Sequence, residues 1–77
     1  MKMIYFKIDI LLDKLNVTAN HVARESKVAP HTVAAYKYNT VKRIERDALD
    51  AIINTLNEIS IEKGMGEITI EDVIGLK

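Results

Sequence analysis

The 77-residue sequence has no cysteine, which excludes a disulfide framework, a thiolate zinc site and a cysteine nucleophile. It also has no apolar run that approaches the roughly 18–20 residues needed for a membrane-spanning helix. Asp9 and Asp13 soon interrupt the apolar start of the chain, which is not the pattern of a signal peptide. We therefore expect one cytoplasmic domain over residues 1–77, without a membrane segment.

The chain has no net charge, because eleven basic residues balance eleven acidic ones. The two signs are nevertheless segregated along the sequence. Residues 14–46 carry a net charge of +5, whereas residues 47–77 carry a net charge of −5. A basic segment of this kind is typical of a polyanion-binding site backed by an acidic remainder, although solvated charges can also cluster by chance.

The basic segment contains two short helical patterns joined by a tight turn. Thr18 suits an N-cap, and the sole proline, Pro30, suits the first helical position, where a missing N–H costs nothing. These signals predict helices over about 19–26 and 30–38. Small or branched apolar residues face inward from both helices and the turn: Val22, Ala23, Val28, Val33 and Ala34. We interpret residues 18–38 as a helix-turn-helix, with Lys27 at φ > 0 in the turn.

The flanking segments predict further helices and a short strand. Residues 3–8 suit an edge strand. Residues 9–15 predict an amphipathic helix that ends at Asn16. Residues 46–63 predict the most apolar helix, which ends at Gly64. We expect Ile44 to act as the apolar anchor of the loop over 39–44. In the C-terminal extension, about 64–77, Thr69 and Asp72 resemble a capping box for one helical turn. Residues 73–77 could instead be extended and pair with residues 3–7.

These features resemble the Cro/cI-type helix-turn-helix domains, the lambda-repressor-like fold of phage repressors and their bacterial relatives. The resemblance covers about residues 4–57 and rests on Leu11-Leu12, Thr18, Val22-Ala23, Val28, Pro30-His31-Thr32-Val33 and the run from Lys42 to Ile52. It implies a mainly α, compact domain of four or five helices, with or without a small N-/C-terminal strand pair. The sequence departs from the family pattern at four positions. Ala19 replaces the usual Gln, and Lys27 replaces a Gly in the turn. Ala29 stands where the family has Ser or Thr, and Asn39 where it has Gly.

The resemblance implies that the second helix of the motif enters the major groove of double-stranded DNA. The base-reading candidates are Pro30, His31, Thr32 and Ala35. They include no Arg, Gln or Asn, the side chains that make bidentate contacts to bases. The phosphate-contact candidates flank them and are Asn20, His21, Lys37, Tyr38, Thr40, Lys42 and Arg43. We expect Lys42 and Arg43 to carry affinity, His31 and Thr32 to carry specificity, and Tyr36 to belong to the core.

The leading hypothesis is a sequence-specific transcriptional regulator, a repressor of phage or plasmid type, with a homodimer left open. The lack of Arg, Gln and Asn among the base-reading candidates and the zero net charge support an alternative. This alternative is an antitoxin- or anti-repressor-like module that binds a protein through the acidic C-terminal part. The sequence shows no nucleophile–base pair and no phosphate loop, and its two histidines lie on different helices. We therefore expect neither an enzyme nor a metal or other cofactor.

Overall fold

The computed structural model describes residues 2–77, and within them five helices accompany a two-stranded sheet. β1 (Ile4–Phe6) precedes α1 (Ile8–Leu15), α2 (Ala19–Ser26), α3 (Pro30–Lys37) and α4 (Arg46–Glu62). One helical turn, α5 (Ile70–Val73), then leads into β2 (Ile74–Leu76), which pairs antiparallel with β1. The predicted mainly α fold with a terminal strand pair is confirmed, and α1 to α4 match their predicted bounds to within one residue.

Three helices end in the same way, because a residue that tolerates a left-handed backbone follows each of them. These residues are Asn16 (φ 55°) after α1, Asn39 (φ 58°) after α3 and Gly64 (φ 72°) after α4. Beyond α3, the N–H of Thr40 donates to the carbonyl of Ala35 at 2.9 Å, which is the bond of a Schellman motif. Equivalent bonds follow α1 and α4. The local sequence therefore determines where each of these helices stops.

The helix-turn-helix has the predicted caps and the predicted irregular turn. The Thr18 hydroxyl accepts a hydrogen bond from the His21 N–H at 3.1 Å at the start of α2. Lys27 ends α2 with a φ of 62°, a conformation that costs a non-glycine residue about 1 kcal/mol. Val22 is fully buried and Val28 packs half-buried against the core, so apolar packing offsets the strain of the turn.

The core lies where α1 to α4 meet, and α5 closes one side of it. Its fully buried large side chains are Ile8, Leu15, Val22, Val33, Tyr36, Ile52, Leu56 and Val73. The prediction that Tyr36 belongs to the core is confirmed. The prediction that Ile44 anchors its loop is wrong, because its side chain is 53% exposed. Val41 packs against the core instead, since it is closer to the end of α3 and reaches the core first.

β1 is held on both sides, by β2 and by the Asn39 side chain. On one side, Tyr5 is paired with Gly75, and Phe6 with Ile74. On the other side, the Asn39 amide accepts from the Phe6 N–H at 2.6 Å and donates to the Phe6 carbonyl at 2.9 Å. The amide thus reproduces the hydrogen bonds of a neighbouring strand. It ties β1 directly to the end of α3.

Both structures weighed for the C-terminal extension occur, one after the other. The Thr69–Asp72 capping box is confirmed, since the Asp72 carboxylate accepts from the Thr69 N–H at 2.9 Å and from its hydroxyl at 3.2 Å. The Thr69 N–H thereby lowers the pKa of Asp72 below its usual value. After this turn, β2 pairs with β1, and the Tyr5 ring lies over Gly75, where a Cβ atom would come within 2.6 Å of it.

Substitution of Asn39 separates its backbone role from its side-chain role. Asn39→Gly keeps a residue suited to φ > 0 but removes two hydrogen bonds, so we expect the free energy of unfolding to fall by about 1–2 kcal/mol. Asn39→Ala should lose about 1 kcal/mol more, because alanine is strained in the left-handed region. Urea denaturation followed by circular dichroism measures both changes. Asn54→Ala, at an exposed position of α4, is the control and should not lower the free energy of unfolding. An Asn39→Gly variant as stable as the parent protein would contradict the bridging role of the Asn39 amide.

Candidate nucleic-acid interface

α3 forms a ridge between two surface clefts. The loop cleft, of about 340 Å³, lies between α3 and the loop that follows it. The α2 cleft, of about 300 Å³, lies between α3 and the start of α2. Predicted contact residues in the loop cleft are His31, Thr32, Ala35, Thr40, Lys42 and Arg43. Those in the α2 cleft are Asn20, Pro30, Lys37 and Tyr38.

The fold therefore gathers ten of the eleven candidates around one helix. His21 is the exception, because its side chain lies on another side of α2. Its Nε2 is 4.0 Å from the Glu25 Oε1, and it lines a small cavity with Glu58 and Glu62 of α4. The His21 N–H is also engaged by Thr18. An acidic surrounding disfavours a phosphate group, so the structure brings nothing to support His21 as a phosphate contact.

The outer face of α3 is accessible because its inner face is fixed in the core. Val33 and Tyr36, three residues apart, are 0% and 1% exposed and point toward the other helices. Pro30 and His31 are exposed at the N-terminal end. The helix starts without a side-chain cap, as expected for Ala29. Helical periodicity thus leaves Pro30 and His31 exposed, whereas Thr32 and Ala35 are half-buried beside the loop cleft.

The C-terminal end of α3 carries a cation and an aromatic ring side by side. The Lys37 Nζ lies 5.0 Å from the centroid of the Tyr38 ring, within the range of a cation–π contact. Tyr38 is 66% exposed, so it is not packed into the boundary of the core. Both its hydroxyl and the Lys37 ammonium can donate hydrogen bonds at the α2 cleft.

The loop that carries the two adjacent cations, Lys42 and Arg43, is held at both ends. At its start, the Asn39 side chain is bonded to β1. At its end, the Glu45 N–H donates to the Tyr36 hydroxyl at 3.1 Å. The Tyr36 ring is itself buried, so this end of the loop is fixed to the core. Sequence reasoning assigned no role to the Asn39 amide or the Tyr36 hydroxyl, because the partner of each is set by the tertiary fold.

Three acidic side chains of α2 and α4 line neither of the two clefts. Glu25, Glu58 and Glu62 surround the small cavity beside His21. Among the residues that line the two clefts, Glu45 is the one acidic side chain. A polyanion would therefore meet mostly positive charge at the clefts, where Lys37, Lys42 and Arg43 outnumber Glu45.

The described residues 2–77 contain neither a cluster of metal-ligating side chains nor a helix able to span a membrane. No group of three or more His, Asp or Glu side chains is placed to hold a metal ion there. No helix in this part of the chain combines the length and apolar character required to cross a bilayer.

Comparison with known proteins identified one family. Residues 7–62 match the family described as Cro/C1-type HTH DNA-binding domain. No curated protein and no solved structure matches the chain significantly. The matched range contains α1 to α4 and all residues that line the two clefts, whereas the sheet and α5 lie outside it.

Tyr36→Phe tests whether the Tyr36 hydroxyl holds the loop. The variant keeps the buried ring but leaves the Glu45 N–H without its acceptor, so we expect the free energy of unfolding to fall by about 1 kcal/mol. Tyr38→Phe is the matched control, because it removes a hydroxyl from a side chain that is 66% exposed, and should leave stability unchanged. Equal effects of the two substitutions in urea denaturation would show that the Tyr36 hydroxyl does not hold the loop.

Proposed function

The chain belongs to the Cro/C1-type family of helix-turn-helix DNA-binding domains, and on this basis we propose that it is a sequence-specific transcriptional regulator of double-stranded DNA. The observation that carries the proposal is the exposed ridge of α3 between two clefts that hold ten of the predicted contact residues. Eight residues of helix are about 12 Å long. The major groove is about 12 Å wide, which admits the diameter of an α-helix with its side chains, about 10–12 Å.

In the proposed complex, α3 presents few but distinct groups to the base edges. The His31 ring can donate to guanine, and the Thr32 hydroxyl can donate or accept. Pro30 and Ala35 offer apolar surface to a thymine methyl group. Because no side chain here makes bidentate base contacts, each copy of the domain reads a short and permissive sequence.

The clefts on either side of α3 would receive the sugar–phosphate backbones. Lys42 and Arg43 supply two charges from the anchored loop, and Lys37 supplies one from the end of α3. Asn20 lies in the first turn of α2, where backbone N–H groups and the helix dipole favour an anion. Phosphate contacts of this kind fix orientation and supply most of the affinity.

We propose that the regulation is repression of the phage or plasmid type. A protein that occupies a stretch of major groove excludes other proteins from it, and this requires no further activity. Such a regulator would act in the cytoplasm, where its DNA lies. The alternative, a protein-binding module on the same fold, predicts no measurable affinity for DNA.

Removal of the two loop cations tests the DNA-binding surface. Lys42→Ala/Arg43→Ala should lower the slope of log K against log salt concentration by about one to two units on random duplex DNA, because each lost phosphate contact releases one counterion fewer. Fluorescence anisotropy across a salt series measures the slope.

The control for this test loses the same charge elsewhere. Lys14→Ala/Lys63→Ala removes two cations that line neither cleft and should leave the slope nearly unchanged. Equal slopes for all three proteins would mean that the loop does not contact phosphate. Absence of binding by the parent protein at low salt would instead support the protein-binding alternative.

The reading face is tested by specificity. We expect His31→Ala/Thr32→Ala to reduce discrimination against mismatched bases by about 1–3 kcal/mol per lost base contact, while the salt slope stays the same. The measurement compares affinities for the best duplex from an in vitro selection and for its single-base variants. Lys37→Ala is the control for a phosphate contact and should weaken binding to all these duplexes alike. If the double variant discriminates between bases as well as the parent protein does, His31 and Thr32 do not read bases.

A further inference from the structure

The small cavity beside His21 lies between α2 and α4 and has a volume of about 130 Å³. Its lining residues are His21, Glu25, Thr55, Glu58, Ile59 and Glu62. Three of these side chains are carboxylates, and no lysine or arginine of the described range 2–77 is among the lining residues. With His21 neutral, the cavity therefore carries three negative charges without a counter-charge.

Glu58 and Glu62 place charge where it is unfavourable for α4 itself. They stand four residues apart on one helix, a spacing at which like charges repel. Glu62 is also the last residue of α4, where the helix dipole is negative, and the last turn has no basic residue. Neither carboxylate has an ion-pair partner within residues 2–77. The two charges therefore cost the helix stability, which is typical of residues kept for a function.

The Thr55 hydroxyl is a second and independent indication of a ligand. Thr55 is one of two buried polar residues and is 8% exposed. The other, Ser60, donates to the Gly66 carbonyl at 2.7 Å. Among the described residues, the Thr55 hydroxyl has no hydrogen-bond partner, although every polar side-chain atom sealed from solvent has one. The hydroxyl is therefore reached from the cavity that Thr55 lines, and it is unpaired there.

The acceptor groups of the cavity suit a cation whose donors are spread in space. No group of three or more His, Asp or Glu side chains within residues 2–77 converges as a metal site does. A guanidinium presents five N–H donors around a plane, so separate oxygen atoms can each accept one. It is also less strongly hydrated than an ammonium and loses less on entering a partly enclosed site. Charge and donor geometry therefore favour an arginine side chain.

A larger cleft of about 410 Å³, the α4 cleft, adjoins the small cavity and shares His21, Ile59 and Glu62 with it. Val17 and Ile59 give this cleft an apolar wall, and Lys63 disfavours a second cation there. In an extended chain, residues two apart face the same side, roughly 7 Å from each other. A chain with an arginine in the small cavity can therefore place an apolar residue in the α4 cleft.

We propose that the groove between α2 and α4 binds an arginine-containing extended segment of a partner protein. The guanidinium occupies the small cavity, where it meets Glu58, Glu62 and the Thr55 hydroxyl, and an apolar residue of the segment occupies the α4 cleft. None of the residues that line the small cavity lines either cleft beside α3. The site is therefore distinct from the proposed DNA-binding surface, and its test needs no DNA.

The two histidines of the chain provide an internal control, because His21 lines the small cavity and His31 lies on α3. The probe is the acetylated and amidated pentapeptide leucine-glycine-arginine-glycine-leucine, which offers an apolar residue two positions to either side of the arginine. In NMR titrations, we expect the imidazole resonances of His21 to shift saturably and those of His31 to stay in place. Equal shifts of the two histidines would overturn the site.

Three further ligands define what the site recognises. Replacing the arginine of the pentapeptide by citrulline or by lysine should weaken binding about fivefold, because the charge or the donor fork is lost. Acetylarginine amide, which lacks the flanking residues, should bind about threefold more weakly than the pentapeptide. Binding of any of these three ligands as tight as that of the pentapeptide would overturn the assignment to an arginine-containing segment.

The carboxylates are tested with a matched pair of double variants. Glu58→Gln/Glu62→Gln removes two charges from the cavity and should weaken binding of the pentapeptide about tenfold. Glu67→Gln/Glu71→Gln removes two carboxylates that line neither the small cavity nor the α4 cleft, and should leave the affinity unchanged. Equal effects of the two double variants would show that general electrostatic attraction, and not this site, binds the peptide.

Thr55→Val removes the hydroxyl and keeps the branched shape of the side chain. A buried hydroxyl without a partner is unfavourable, so we expect the variant to be at least as stable as the parent protein in urea denaturation. The same variant should bind the pentapeptide about threefold more weakly, because one acceptor for the guanidinium is lost. A loss of stability would show that the hydroxyl has a partner within the protein, and an unchanged affinity would show that it does not meet the ligand. Either result would overturn the site.

Discussion

The hydrogen bonds between the Asn39 amide and the backbone of Phe6 connect parts of the molecule that are 33 residues apart in sequence. They join the N-terminal strand to the residue that ends α3. The Phe6 ring then packs edge-on against Tyr36 at 4.9 Å between centroids. The Tyr36 hydroxyl accepts from Glu45 at the start of α4. One cluster therefore sets the position of the sheet, the end of α3 and the path of the loop.

This cluster also fixes the loop that carries two of the proposed phosphate-contact residues. Loops are usually the most mobile part of a fold, and ordering one on binding would cost affinity. Here the segment that carries Lys42 and Arg43 leaves the core at Asn39 and returns to it at Glu45. In the proposed complex, only the side chains of the two cations would have to be ordered on contact with phosphate. The fold thus holds two positive charges beside α3 in the absence of DNA.

How far the sequence predicts the structure depends on whether the interaction is local. Thr18, Pro30, Asn16 and Gly64 act within one helical turn, and the helices begin and end where these residues indicate. The partner of the Asn39 amide depends on how β1 packs against α3, so the residue type alone could suggest only a left-handed backbone. Ile44 was misassigned for the same reason, since the competition with Val41 is decided by the path of the loop.

The candidate site shows the same division. Helical periodicity predicts which side of α3 is buried, and the buried Val33 and Tyr36 fix the rotation of the helix. The sequence neighbours Asn20 and His21 were grouped together, but successive residues on a helix point about 100° apart. Asn20 lines the α2 cleft, whereas His21 faces acidic side chains from α4. Which neighbour reaches the cleft is determined by the packing of α2 against α4.

The zero net charge and the lean reading face are consistent with one physical account. Affinity for DNA depends on the phosphates that are contacted, and the distant acidic residues reduce long-range attraction more than they weaken those contacts. Specificity is limited by how many bases one α3 can read. Each correctly read base pair contributes about 1–3 kcal/mol of discrimination, so an α3 with few hydrogen-bonding side chains distinguishes few bases.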